Sequence, residues 1–582
     1  MSAAATLLPL AVVIPIGGAV ISPLIARLHR TLPLIVGMIA MTGSVLVLIP
    51  PAGQVYSGSG HVVVHFFSAE HPVHGKLLGI AFAADPFGMM FALLAAGLGG
   101  LLLLSLLSEF GGLGEREIGG LACLVQLLLA ALIGAALTAD TVNLFVWFEV
   151  AALASYGLAG FFLERPIALE AAFKILVLTS IAGFAVFVGA GLLYSKQGAL
   201  SFAQLHNSLL GGDSRVDLVA LALLIAGFGT KAGIAPFHGW LPDAHTPVPG
   251  GISALFSGLM VDLGIVAIAR LTLQVYGAGS GHAMLGLVTG LGITSALLGA
   301  IMALAQDDLK RLLAWDTVSQ MGLLLTGFGS GTEEGVGGAA FQLVSHGLFK
   351  ALLFLCAGSV VHSTGLTKLS EIGGLARRRP VVTAAFTVGA LSISGVPGFS
   401  GYASLSLIHA GLEDQPVIHA LALIAQVITV AALARATWLG FYRRREEEYE
   451  QLERTPIGMR VALFVVGAAC IVFGIFPSEF VDRVVGPAAS ILLDPSGYSH
   501  AVLAGSGTVP VSTLVFDYGK ASDLITTAIE IAIGLLVAVI YLRIREPRPV
   551  TWLRRLHTGS VNDYAAYLAG GIALAAGILL GG

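Results

Sequence analysis

The sequence predicts an all-α polytopic membrane protein, and three observations carry that prediction. Only 11% of the 582 residues are charged and 56% are hydrophobic, against about 25% charged in soluble proteins. Apolar runs of membrane-crossing length, about 20 residues, recur along nearly the whole chain. Basic loops fall at alternate connections between those runs, as orientation in a bilayer requires. The 75 glycines suit close helix packing, which membrane helices use where lipid removes the hydrophobic drive between them. A formal net charge of −4 gives no reason to expect a nucleic-acid partner.

The first run starts near Leu7. No basic region precedes it, so it is expected to stay as a spanning helix rather than be cleaved as a signal. Further runs start near Leu34, Phe82, Ile118, Val142, Ala168, Val216, Ile252, Met284, Leu312, Ala339, Val382, Ile418, Val461, Leu524 and Tyr564. That makes roughly sixteen spans. Two longer polar segments, 51–76 and 477–520, interrupt them. Arg27 and Arg30 follow the first run. If that loop is cytoplasmic, counting forward puts the basic segments 307–313, 376–380, 443–448 and 543–555 inside as well. Both polar segments and both termini then fall outside, with the chain integral to a bacterial or archaeal cell membrane.

Cys123, Cys356 and Cys470 each sit inside an apolar run and read as small packed side chains, not as a disulfide or metal framework. No Walker, zinc or strand-borne G-x-G-x-x-G signature occurs. No metal, no cofactor and no catalytic residue in the enzymatic sense is expected in this chain. Its chemistry falls to charged residues within the bilayer.

An ionisable group at mid-membrane is expensive and usually marks a pathway. Glu149, Lys174, Lys231 and Asp262 lie inside apolar runs, as do His346 and Lys350, with His362 toward the end of the same run. His346 and Lys350 are four apart and share a helix face. Lys231 stands in "GTKAGIAPFHGWLPDAH", where Gly233 and Pro236 break the helix. Such a break frees backbone carbonyls and is tolerated where it lines a hydrated cavity. A lysine there, held by a nearby Glu149, forms a proton switch; a static ion pair that only orients helices is the competing reading. Lys174 is expected to pair with or relay from Glu149, or else to snorkel toward the interface. His346 and Lys350 suit a proton relay. His238, His245 and Trp240 read as an interfacial mouth or belt. Asp140, Glu164, Arg270 and Arg311 read as solvated groups near helix ends.

These residues carry a resemblance. "GTKAGIAPFHGWLPDAHTPVPGGISALFSG", "QDDLKRLLAWDTVSQMG", "HGLFKALLFLCAGSVVH" and "EIGGLARRRP" resemble, in order, the signatures of antiporter-like, proton-translocating membrane subunits. That family takes in the large pumping subunits of respiratory complex I and the large subunits of Mrp-type sodium/proton antiporters. It also takes in membrane subunits of formate hydrogenlyase and energy-converting hydrogenases. The resemblance covers residues 118–445, and the tail also looks like the ends of longer members. It implies two inverted five-helix repeats, 118–276 and 284–442, each with a broken helix, the second at Pro397. Residues 1–117 and 443–582 would be flanking helices. It implies that Glu149 and Lys231 are the paired switch, Lys174 the auxiliary lysine, and His346 and Lys350 the central relay.

The sequence departs from that pattern in three places. Ser404 and Leu405 stand where a lysine or glutamate usually completes the exit, with His409 as a candidate substitute. Asp262 stands where lysine or histidine is usual, and Asp316 replaces a small or polar residue. The expected function is a proton- or sodium-translocating subunit of a multisubunit redox-driven complex, with redox centres on partner subunits, some of them soluble. Membership of an Mrp-type sodium/proton antiporter and a non-pumping scaffold are the alternatives.

Overall fold

A computed structural model describes residues 3–581 apart from 58–60, 68–76, 78, 111–112, 163, 213, 281, 446–448, 450–451, 453, 511–513, 515, 519 and 544–547. Among the described residues, thirteen helices are long and apolar enough to cross a membrane. The three other runs counted from sequence also form helices. Arg215–Ala232 and Leu309–Gly329 carry three charged residues each, and Pro380–Ile393 has 14 residues and stops short at a break. The coarse prediction therefore holds, with a smaller count of helices that qualify by length and apolarity.

Local signals set the helix ends. Asp85 accepts from the Gly88 N–H ahead of Pro86, Asp140 from Asn143, Asp308 from Arg311 and Thr332 from Gly335, each a side-chain oxygen satisfying an orphan donor. Gly198 and Gly365 close the two 32-residue helices in the left-handed region.

The most buried spans are Gly250–Gly277 and Glu333–Thr364, and the least buried are Ala521–Tyr541 and Val561–Gly581. The inner two carry the polar residues, as expected where lipid penalises them. They cross at Gly250 and Gly358, whose backbones approach so closely that a Cβ on either would strike the other chain segment.

The fold is not purely helical. His61–Phe66 is the central strand of a three-stranded antiparallel sheet, flanked by Ala81–Ala84 and Ser506–Thr508. Its register pairs Val63 with Ala84 on one side and Val62 with Gly507 on the other. Parts of the two polar segments expected to share a face are thus hydrogen-bonded together. Segment 477–520 is also more than a loop: Gly486–Leu493 packs against Pro86–Glu109 and Glu333–Thr364, burying Ala488, Ile491 and Leu492. The apolar string "VVGPAASILL" carries that packing but is too short to read as a span.

On the opposite face, described residues of three basic segments bind the loops beside them. Asp308 bridges Lys368, Arg443 donates to the carbonyls of Leu369, Ser370 and Ile372, and Arg554 donates to the Ala305 carbonyl.

Candidate cation pathway

The first break lies where the sequence placed it. The helix Arg215–Ala232 ends at Gly233, whose φ of 69° needs no Cβ. The freed backbone finds partners: the Trp240 indole donates to the Thr230 carbonyl at 2.6 Å, and the Ala235 N–H donates to Ser295 Oγ at 2.9 Å. Phe237 fits against Gly571, and Tyr564 against Gly239, so the C-terminal helix Val561–Gly581 covers the break.

Lys231 is fully buried beside it, with no hydrogen-bond partner for its Nζ, which sits 5.6 Å from the centre of the Phe148 ring. Glu149, on the next residue of the helix Thr141–Ala159, is within electrostatic reach of Lys231. Its carboxylate packs against Gly183, where any side chain would displace it. The two groups interact without an ion-pair contact between them. That arrangement leaves the amine able to change partners, which a closed salt bridge would oppose.

Two buried pairs follow, one within the second half and one that joins it to the first. Lys350 Nζ donates to Asp316 Oδ2 at 2.5 Å and to the Leu313 carbonyl at 2.9 Å. Asp262 Oδ1 lies 3.0 Å from His346 Nδ1, with neither group in an aligned hydrogen bond. All four side chains are fully buried. Asp316 faces the lysine one turn beyond His346, so a residue read from sequence only as a departure is the partner of Lys350. Asp262, which has no cation near it in sequence, faces His346 from another helix.

Other expectations require correction. Lys174 does not pair with Glu149; it bonds Glu170 at 2.7 Å and Asp243 at 2.8 Å, and Asp243 also meets Arg311 at 3.4 Å. His362 stands exposed at the end of its helix, twelve residues or roughly 18 Å along the axis from Lys350. It is not brought into the buried row. His238, His245 and Trp240 are buried rather than interfacial. His238 Nε2 lies 2.6 Å from His557 Nε2, and His245 stacks on Phe354 at 4.7 Å. The neighbours that bury them come from distant parts of the chain. Burial of His557 also lowers its pKa below the ordinary imidazole value. Glu164 is exposed, as expected, but Asp140 and Arg270 are not. Arg270 donates to both oxygens of Asp85, at 2.7 and 3.2 Å, and to the Ala136 carbonyl at 2.9 Å. The second break matches the first: Gly395 has φ 69°, with Pro397 two residues on.

The family described as NADH:quinone oxidoreductase/Mrp antiporter, TM, matches residues 138–429. A Na(+)/H(+) antiporter subunit from Alkalihalophilus pseudofirmus is 30% identical over 484 residues, 82% of this chain and 95% of that one. The chain belongs to this family. A longer Na(+)/H(+) antiporter subunit from the same organism is 30% identical over 84% of this chain, and the match spans about two thirds of that relative, 66%. An NADH-quinone oxidoreductase subunit of Desulforudis audaxviator is 30% identical over 70% of this chain and 84% of its own length. Among solved structures, a chain of the Mrp complex from a Dietzia species superposes with a TM-score of 0.76 at 24% identity, over 86% of this chain and all of that one. A chain of an archaeal membrane-bound sulfane sulfur reductase superposes with the same TM-score at 26% identity, over 85% of this chain and 99% of that one.

Every candidate pathway residue read from sequence falls inside the matched part of the antiporter family. Asp85 lies ahead of it, and His557 lies beyond it. No local motif marks Asp85 beyond the Asp-Pro that opens its helix.

Proposed function

We propose that the chain is a cation-translocating, antiporter-like membrane subunit of a multisubunit Mrp- or complex I-type assembly. The observation that carries the reading is the unpartnered Lys231 beside a helix break, followed by the buried pairs Lys350–Asp316 and His346–Asp262. A scaffold has no need of these five ionisable groups in the two most buried spans and the helices against them, because burial of each opposes stability unless it is compensated.

In this reading Glu149 and Lys231 act as the switch of a first half, 118–276. A proton held on Lys231 by the Glu149 field moves on when that field weakens. His245 lies between Lys231 and the second half in chain order and within the field of Lys350. Lys350 then exchanges protons with His346, one turn away, while Asp316 and Asp262 stabilise whichever of the two is charged. The second half is 284–442, and its break at Gly395 and Pro397 repeats the glycine-proline arrangement of the first. Lys174, held by Glu170 and Asp243, gates access near the basic face. That face is the cytoplasmic one in this reading, leaving the sheet and both termini outside. Other membrane subunits, and soluble redox subunits where the drive is redox chemistry, complete the assembly.

The test is proton translocation by the intact complex in native membrane vesicles, read with a fluorescent pH probe. Lys231→Ala is expected to lower the flux by about tenfold or more with the complex still assembled. Flux at the wild-type level in that variant refutes the switch. Oxidant-driven pumping without added sodium, against exchange driven by a sodium gradient alone, separates redox drive from antiport.

A further inference from the structure

Ser404 and Leu405 stand on the helix Ser400–Ala410, just past the second break, and neither side chain can carry a proton. A hydrogen-bonded seam nevertheless reaches Ser404. Gln320 is one turn from Asp316 on its helix, and Gln342 is one turn from His346 on its own. Gln342 Nε2 donates to Gln320 Oε1 at 2.8 Å, and Ser404 Oγ donates to Gln342 Oε1 at 2.5 Å. All three side chains are fully buried.

The seam abuts a cavity. Leu405, next to Ser404, and His409, one turn further, both line a space of about 130 Å³. That volume holds several waters. Three helices each bring a titratable group to it: His409, His419 on Pro416–Thr437, and Glu530 on Ala521–Tyr541. His409 Nε2 lies 3.9 Å from Glu530 Oε1, and the two imidazole rings are 5.3 Å apart at 34°. Both ring nitrogens of His409, Nε2 of His419 and Oε1 of Glu530 are buried with no hydrogen-bond partner. Polar groups left so in a dry site are strongly unfavourable, and water in the cavity satisfies them.

The remaining charged groups on the lining are Glu413 and Asp523, and no lysine or arginine lines this space among the described residues. Both acids also line a second cavity of about 390 Å³, with Glu334, Asp414, Asp517 and Lys520, on the face that carries the sheet. The acidic groups of the two linings therefore lead outward from the imidazoles.

We propose that His409, His419 and Glu530 form a hydrated proton-release station that ends the second half of the pathway. The helix Ala521–Tyr541 is then part of the transport machinery, although it is among the most peripheral spans. The seam orients water at its Ser404 end without itself accepting the proton, and cavity water past Leu405 delivers the proton to a neutral His409. The Glu530 carboxylate stabilises the imidazolium; His419 and water take the proton on to the acidic mouth, and His409 returns to neutral. Imidazole nitrogens suit protons rather than sodium, a hard cation that prefers oxygen ligands.

The inference rests on the transport reading above, and the experiment separates the two. Proton flux is measured in vesicles bearing the intact complex, for wild type, Lys231→Ala, Glu530→Gln, Glu530→Asp and the double variant His409→Gln/His419→Gln. Glu530→Gln and the histidine double variant are expected to lose about tenfold or more of the flux, and Glu530→Asp to keep most of it. Loss of flux in Lys231→Ala with wild-type flux in Glu530→Gln and the double variant overturns the station alone. Wild-type vesicles that move no protons overturn both readings. Because Glu530→Gln can also act through folding, a second measurement is independent of flux. A single cysteine at Ser406, in a chain whose three native cysteines are alanine, is expected to react with an impermeant methanethiosulfonate added on the sheet-bearing face. No reaction in the assembled protein overturns the hydrated cavity.

Discussion

Arg270 and Lys231 are both fully buried cations, and the difference between them lies in what surrounds each head group. Arg270 has both terminal guanidinium nitrogens bonded, to Asp85, Gln274 and the Ala136 carbonyl, whereas the Lys231 amine has no bond filled. The first is built to stay, the second to exchange. Asp85→Ala leaves the guanidinium buried without its counter-ion and is expected to destabilise the protein by about 3–5 kcal/mol. Asp85→Ala/Arg270→Met is expected to recover most of that. Thermal unfolding in detergent checks both, and any flux change should follow the amount of folded protein. A double variant no more stable than the single one would contradict a mainly structural role. In sequence, Glu149, Lys231 and Lys350 stand out because apolar residues flank them on both sides. Arg270 does not, because it lies near the end of its run and its partner is 185 positions away. Lys174 is visible, but nothing local marks Asp243, 69 positions on, as its partner.

At the scale of elements, the breaks are legible and the packing around them is not. Gly and Pro next to a lysine in an apolar run announce an interrupted helix by backbone chemistry alone. That Val561–Gly581 lies over the first break, with Tyr564 and Gly571 against it, has no local signal. Gly233→Ala tests the break directly. The left-handed backbone penalises a Cβ by about 1–2 kcal/mol, and the new methyl would also press on Leu241. The expected result is a lower unfolding temperature together with lower flux, while Gly211→Ala, which meets no neighbouring atom and has no positive φ, should change neither. The span count shows the limit of hydropathy: Arg215–Ala232 adds Arg215 and Asp217 to Lys231, and in Leu309–Gly329 the polar Asp316, Thr317, Ser319 and Gln320 dilute the apolar run.

Across the whole molecule, the alternation of basic and base-poor loops read from sequence corresponds to a real division. Residues of three basic segments bind the neighbouring loops 305–308 and 368–372 on one face, and strands from the two long polar segments form a sheet on the other. The register gives a test. Val62 and Gly507 are directly opposed, and opposed residues in an antiparallel pair have Cα atoms about 4.5–5.5 Å apart, within disulfide range. A side chain at Gly507 would strike Ala501, so the next opposed pair is used: His61→Cys/Thr508→Cys, with native cysteines removed, is expected to cross-link on oxidation from the sheet-bearing side, seen as a gel-mobility shift. His61→Cys/Ser499→Cys is the control, since Ser499 is not in the register. Equal cross-linking of both pairs would argue against this pairing.

The sheet also sets an order of events during synthesis. His61–Phe66 is made early, but one of its two neighbouring strands emerges only after most of the bundle has been inserted. Until then its outer edge offers bare N–H and carbonyl groups, a template for unwanted strand pairing. A ribosome stalled before residue 506 would leave an almost complete bundle with that edge open. Closure of that edge therefore waits on Ser506–Thr508, and the sheet is completed late in synthesis.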